Sequence, residues 1–231
     1  MIGPTIAFNL FSIFNSDILQ KMIRKSVSLF AFFLFSFYLF AQSEKEKMYL
    51  QAQQLFQDER YGLAQDLFHQ IYMDKLVLES QKEEALLHIA ICSKNLFNED
   101  TKFWFDKFLN NYPYSEKRNK ANYELALFYY WQKSYPQSIR YFLECEMQNR
   151  ESNFKLAYSY FVLDSLESSK YYFSKLLNLD SKYGASSQYF YAHIAYKQKH
   201  YKTALSHFQN LKEDKNFFSI VPYYISQIYF L

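Results

Sequence analysis

A phenylalanine returns along the chain at Phe68, Phe105, Phe142, Phe173 and Phe208, at intervals of 37, 37, 31 and 35 residues. Fifteen or sixteen residues ahead of each stands an alanine: Ala52, Ala90, Ala126, Ala157 and Ala192. Four residues ahead stands a small residue: Ala64, Thr101, Ser138, Ser169 and Ala204. In three units a tyrosine (Tyr61, Tyr135, Tyr201) lies seven residues before the phenylalanine. Self-similarity at such a period marks a repeat architecture and outranks any local motif. Each unit carries two apolar stretches of helical period joined by a short polar link, such as 57–60 or 197–200. Small residues on both helices let the backbones approach, and the phenylalanine fills the space between one hairpin and the next. A lone hairpin cannot bury its apolar faces, so the units must stack into a solenoid.

Little else is open to this chain. It has 3 Gly and 4 Pro in 231 residues, too few to punctuate a sandwich, a barrel or a doubly wound α/β sheet. Gly3, Gly62 and Gly184 are too far apart for any glycine-rich phosphate loop. Half of the residues are hydrophobic, which excludes a disordered chain. The expected fold is all-α, an α-α superhelix of about five helical hairpins plus part of a sixth. Pro136 falls where a second helix starts and its missing N–H costs nothing, with Ser134 placed to cap. Pro113 and the turn 180–184 fall between hairpins.

These units resemble tetratricopeptide (TPR) repeats, which carry Ala or Gly in helix A, Tyr opening helix B, then Ala and Phe or Tyr within it, and Pro after it. Ala192, Tyr201, Ala204 and Phe208 form the best match, and 177–186 resembles the family's inter-repeat turn with Ser181 in place of the usual Pro. Pro113 sits eight residues after Phe105 as that pattern requires. The resemblance covers about 44–231. It departs in two respects: the family's turn glycine is missing throughout, and the second repeat (about 82–113) is degenerate, with Asn98 where Tyr belongs. The stretch 108–142 is similar to the TPR subgroup of bacterial envelope assembly and division-coordinating factors.

The resemblance implies a concave face lined by helix A residues. Its fifth position maps to Tyr49, Leu87, Tyr123, Phe154, Tyr189 and Tyr223, and its twelfth to Phe56, Lys94, Tyr130, Phe161, Tyr196 and Phe230. Ten of these twelve residues are aromatic, so two ladders are expected along the array. Of these, Tyr49, Phe56, Tyr123, Tyr130, Phe154, Phe161, Tyr189, Tyr196 and Tyr223 are the candidate partner-binding residues. Tyrosine combines large area, few rotors and a polar tip, which suits peptide capture. The competing interpretation is that the rings only pack between helices. The lysine and asparagine clamp with which chaperone-binding TPRs hold a terminal carboxylate is missing from these positions.

The first 41 residues look like an address. Lys21, Arg24 and Lys25 precede an uncharged run from Ser26 to Ala41, followed at once by the polar stretch 42–47. This is the order of a secretory signal at 22–41, with cleavage after Ala41, and an uncleaved membrane anchor at 26–41 is the alternative. The run is shorter than the roughly 20 residues a spanning helix needs. No cysteine follows it, which argues against a lipoprotein anchor. Residues 1–21 have no targeting logic of their own and read as a mis-assigned or non-native extension ahead of Met22. The expected location is therefore exported, periplasmic or envelope-associated, with any membrane contact made through the N-terminal segment.

Formal charge is +3 on the whole chain and nearly zero beyond residue 41, with no basic run interleaved with stacking aromatics, so nucleic acid is excluded as a partner. Cys92 and Cys145 are 53 residues apart and match no metal or redox spacing, so they read as buried small hydrophobes, with a disulfide as the alternative. His193, His200 and His207 are spaced by seven, but the turn after Gln198 separates them. Glu144 and Glu146 point apart on a helix. No cofactor, metal site or enzymatic activity is expected. The stretch 220–231 reads as helix A of a sixth unit without charge, whose bare face belongs to a continuing array or to a self-association surface. The functional expectation is a non-enzymatic protein-binding scaffold of the bacterial envelope. The alternatives are a structural arm or oligomerisation module of a larger envelope protein, and a glycan- or peptidoglycan-binding module. The last needs polar partners beside the rings, and Gln53, Glu151, His193 and Gln227 are the few on offer.

Overall fold

The computed structural model describes residues 29, 30, 32, 44–146, 149–179 and 182–231. The signal segment, its cleavage site at Ala41 and the turn residues 180–181 lie wholly or mostly outside them. Among the described residues from 44 onward, eleven helical segments follow one another: α1 (44–57), α2 (Tyr61–Met73), α3 (Glu79–Asn95), α4 (Thr101–Asn111), α5 (Arg118–Trp131), α6 (Tyr135–Glu144), α7 (Arg150–Val162), α8 (Leu166–Ser174), α9 (Gly184–Lys197), α10 (Tyr201–Gln209) and α11 (Val221–Phe230). No strand occurs among the described residues. Odd-numbered helices are the A helices of the hairpins and even-numbered ones the B helices. The chain divides into two compact units at Ala85/Leu86, within α3.

In the first unit Phe56 of α1 packs edge-on against Tyr61 and Phe68 of α2, Ala52, Ala64 and Phe68 are fully buried, and Lys45 pairs with Asp74 at 2.9 Å. In the second unit contacts run from each helix to the next, from α4 through α11, with α5 also touching α7. This is the nearest-neighbour architecture expected of stacked hairpins.

The recurring residues hold the places their spacing implied. All five helix A alanines and all five small residues of helix B are fully buried, and the phenylalanines are 0–4% exposed. Fully burying each phenylalanine contributes about 1.5–3 kcal/mol. Where the helix B residue is serine, its hydroxyl ties the hairpin together: Ser138 Oγ donates to Ala126 O at 3.0 Å, and Ser169 Oγ to Ala157 O at 2.9 Å. The alanine therefore allows close approach, and the serine uses that approach to satisfy a buried hydroxyl.

The A–B turns reproduce a glycine geometry without glycine. Glu59, Phe97, Lys133, Asp164 and Lys199 adopt φ between 55° and 60°. In each turn the N–H of this residue donates to the carbonyl three residues back, and the next N–H donates to the carbonyl five back, at 2.8–3.1 Å. These are Schellman closures, which satisfy the last carbonyls of helix A. The left-handed conformation costs a residue with a Cβ about 1 kcal/mol, and the hydrogen bonds hold it nonetheless.

Helix starts differ from expectation at one point. Ser134 occupies the N-cap of α6, with Pro136 in the first turn, but its side chain makes no capping bond; its carbonyl instead accepts from Ser138 N. A complete capping box appears at α7. There Asn149 Oδ1 accepts from Ser152 N at 2.8 Å, and Ser152 Oγ accepts from Asn149 N at 3.0 Å. Cys92 and Cys145 are both buried free thiols, so no disulfide joins them. Burial pushes the Cys92 thiol up to about 12.

Candidate functional site: the aromatic face of the A helices

The two ladders owe their positions to ring contacts that repeat from hairpin to hairpin. Fifth-position rings pack edge-on against the phenylalanine of their own helix B. Tyr123–Phe142 (6.0 Å, 67°), Phe154–Phe173 (5.7 Å, 68°) and Tyr189–Phe208 (6.2 Å, 62°) are the three cases in the second unit. Twelfth-position rings pack against the aromatic that opens helix B. Here the pairs are Phe56–Tyr61 (5.7 Å), Tyr130–Tyr135 (6.1 Å) and Tyr196–Tyr201 (5.9 Å), again edge-on. Such pairs add about 0.5–1.5 kcal/mol each beyond the area they bury.

A second set of contacts links each A helix of the second unit to the following one. Tyr130 meets Tyr158 at 6.1 Å, Phe161 meets Phe190 at 5.0 Å and His193 at 5.8 Å, and Tyr196 meets Tyr224 at 5.5 Å. Polar bridges run alongside. Lys94 pairs with Glu124, Tyr123 Oη donates to Glu151 at 3.0 Å, and Tyr196 Oη donates to Gln227 at 2.8 Å. The ladders are thus both the seams of the array and its A-helix surface.

Exposure separates the candidates. Tyr123 is 9% exposed, and its phenol is committed to Glu151. Burial, helped by the Glu151 carboxylate and opposed by Asn149, pushes its pKa up to about 12. Tyr130, Phe154, Phe161, Tyr189 and Tyr196 are half-buried. Burial also raises Tyr130, and raises Tyr189 to about 12. Tyr223 is exposed, though Gln227 Nε2 donates to its hydroxyl at 2.6 Å. Tyr49 and Phe56 lie half-buried on α1 in the first unit, Phe56 also touching Phe68 at 6.4 Å.

Reasoning from positions five and twelve missed the strongest electrostatic feature. Lys155, on α7, has a side chain only 7% exposed. Its Nζ lies 4.7 Å from the Tyr130 ring centre, 4.2 Å from that of Trp131 and 3.2 Å from Glu151 Oε1. Burial lowers its pKa, against the opposing pull of Glu151. Burial alone would raise Glu151, but the bonds from Lys155 and Tyr123 outweigh it and the carboxyl lies below its ordinary value. Lysine after an aromatic at the fifth position was the available signal, since it places a cation beside the preceding repeat's twelfth-position ring. Trp131, 68% exposed, was likewise passed over.

The remaining candidates are dispersed. His193 stacks among Phe161, Tyr189 and Tyr224, His200 precedes α10, and His207 lies against Tyr191 at 4.9 Å. Burial lowers the pKa of both His193 and His207. Glu144 pairs with Arg140, and Glu146 contacts Asn119. Glu151 and Gln227 are already engaged with tyrosines.

No protein-family model matches the sequence, and no curated protein matches it. Solved structures do. MamA from AMB-1 superposes with a TM-score of 0.62 at 18% identity, over 75% of this chain and 92% of that one. PilF of Pseudomonas aeruginosa gives 0.52 at 17% identity, over 71% of this chain and 73% of that one. The nearly identical TPR-like repeats of a kinesin light chain from Podospora anserina give 0.52 at 12% identity, over 74% and 96%. At these identities the likeness is one of fold, and all three are TPR-type proteins. The hairpin packing and these neighbours agree on the fold, an all-α superhelix of the TPR-like solenoid kind.

Proposed function

We propose that this chain is a non-enzymatic protein-binding scaffold that captures a partner segment on the aromatic face of its A helices. The observation that carries this is the row of half-buried rings at Tyr130, Phe154, Phe161, Tyr189 and Tyr196, each fixed by an edge-on aromatic partner. Rings locked before binding lose little side-chain entropy when a peptide lands on them, which is what makes aromatic anchors efficient. The envelope setting rests on the signal-like stretch 22–41 and on the sequence similarity of 108–142 to envelope TPRs. Among the described residues no helix is long and apolar enough to cross a membrane.

Selection of a displayed peptide library on the protein tests the proposal. Tyr130→Ala combined with Tyr196→Ala is expected to weaken selected binders at least tenfold, measured well below the melting temperature. The variant also loses two ring pairs, so helicity is measured on the same sample. Binding unchanged in a folded double variant removes the aromatic face from consideration.

A second reading is favoured by α11, where Tyr223, Tyr229 and Phe230 are 59%, 67% and 92% exposed. An apolar surface of this kind suits a structural arm joined to another polypeptide. Sedimentation across a concentration series distinguishes the two: a mass that rises with concentration, and is held to one chain by Tyr229→Glu with Phe230→Glu, favours the arm. The glycan reading is weakened by the internal engagement of Glu151, His193 and Gln227.

A further inference from the structure

Helix α11 repeats, at identical spacing, the face that two other A helices turn to their own B helix. In α5 that face is Tyr123, Ala126, Tyr129 and Tyr130, and in α7 it is Phe154, Ala157, Tyr160 and Phe161. In α11 it is Tyr223, Ser226, Tyr229 and Phe230. Helix α6 engages all four places of α5. Tyr123 meets Phe142 edge-on, the Ala126 carbonyl accepts from Ser138, Tyr129 stacks on Tyr141 at 5.5 Å and 4°, and Tyr130 meets Tyr135 edge-on. Helix α8 repeats the first three on α7, with Tyr160 stacked on Tyr172 at 5.8 Å and 8°. In α11 all four places are exposed. Its other side is docked as an A helix should be: Val221 is fully buried and Tyr224 stacks on Phe208 at 5.0 Å. Gln227, held by the Tyr196 hydroxyl of α9, donates to the Tyr223 hydroxyl and so steadies that ring.

We propose that the exposed face of α11 binds a helix of a partner polypeptide bearing Ser-x-x-Tyr-Phe, the signature of α6 and α8. This deepens the reading in which α11 joins another polypeptide, and names the chemistry of that partner. The signature follows from how the third place and its contact vary together. Where helix A has Tyr129 or Tyr160, helix B has a tyrosine just before its phenylalanine and a serine three residues earlier: Ser138 and Tyr141, Ser169 and Tyr172. Where helix A has Leu55, Ser93 or Ala195, helix B has Leu67, Trp104 or His207 there, and alanine or threonine in place of the serine. Tyr229 puts α11 in the first class. A tyrosine opposite it offers the same stacked surface. Ser226, small like the alanines, lets a second backbone approach until a serine hydroxyl reaches its carbonyl. Phe230 is left for the residue that opens the incoming helix. No residue of α11 is charged, so charges on the incoming helix belong on its outer side, where α6 keeps Arg140 and Glu144 exposed.

The probe is a capped peptide of α6, residues 134–144, with Arg140→Lys joined to Glu144 by a lactam. The bridge is needed because a helix this short is marginal alone in water, and both positions are exposed in α6. Calorimetric titration into the full chain is expected to show saturable binding. Affinity is expected to fall at least tenfold for the same peptide with Tyr141→Ala. It falls equally for an α10 peptide, residues 200–210, bridged at the equivalent positions 206 and 210, because it carries His207 and Ala204 in place of the signature. The protein variant Ser226→Leu adds apolar area but holds the helices apart, so its affinity is also expected to fall at least tenfold with the melting temperature unchanged. Should that variant not fold, Tyr229→Ala is expected to weaken binding by the same order. The absence of saturable binding, equal affinity for the α10 peptide, or indifference to Ser226→Leu overturns the proposal. Indifference means that the peptide lands elsewhere, as by exchange with α6 on α5. Self-association that Tyr229→Glu with Phe230→Glu abolishes, in a chain that ignores the α6 peptide, overturns the proposal while leaving the arm reading standing.

Discussion

At the scale of single residues, the fold imposes two backbone demands that residue types in this chain meet unequally. The five A–B turns need a left-handed residue, and none of the five is glycine. Lys133→Gly and Lys199→Gly are each expected to stabilise the protein by about 0.5–1 kcal/mol, because the relieved strain exceeds the entropy glycine adds to the unfolded chain. Urea midpoints with unchanged slopes are the measurement. The opposite holds at Gly184, where an added Cβ stands 2.1 Å from the Leu179 carbonyl oxygen. Gly184→Ala is expected to destabilise by about 1–3 kcal/mol, as overpacking does, read by the same melts. The missing turn glycine was visible in the sequence as a departure from the repeat pattern. That the turn persists without it was not, because the hydrogen bonds that hold it lie in backbone geometry.

At the scale of the helical hairpin, the edge-on ring pairs are the unit of cohesion. A double-mutant cycle on Tyr130→Leu and Tyr135→Leu is expected to give a coupling of about 0.5–1.5 kcal/mol. A cycle on Tyr130 and Tyr201, which share no contact, is expected to give about zero. The alanines, small residues and phenylalanines of the hairpins were fully legible, since their spacing fixes which residues meet. The ladders were legible as positions but not as contacts. Whether a ring at the twelfth position faces solvent or its neighbour depends on the tilt between hairpins, which no periodicity encodes. Lys155 escaped for a related reason: its importance comes from two rings on the preceding A helix, α5, and not from its own surroundings in the chain. The degeneracy of the second repeat was legible at Asn98; that its helix B begins only at Thr101 was not.

At the scale of the molecule, acid is the expected weakness. Burial lowers His193 and His207 below the usual 6.5, so the fold favours their neutral form. The stability this contributes is complete above the unfolded value and is lost as pH falls through the lowered folded value. Glu151, also lowered, contributes above its ordinary value of 4.5 and is lost below it. Thermal melts are therefore expected to fall between pH 7.5 and 5.5 and again below pH 4.5. His193→Gln with His207→Gln flattens the first limb and leaves the second.

The two buried thiols give the array a clock for its own opening. Cys92 sits in α3 and Cys145 just after α6, where its Sγ–H points at Phe142 O at 3.3 Å. Neither can meet an aqueous thiol reagent while its hairpin is closed. Because stacked repeats are held mainly by their neighbours, hairpins can part locally without the whole array melting. The labelling rates of the two single-cysteine proteins thus convert directly into two separate opening equilibria, taken at different stations along one chain under fully native conditions.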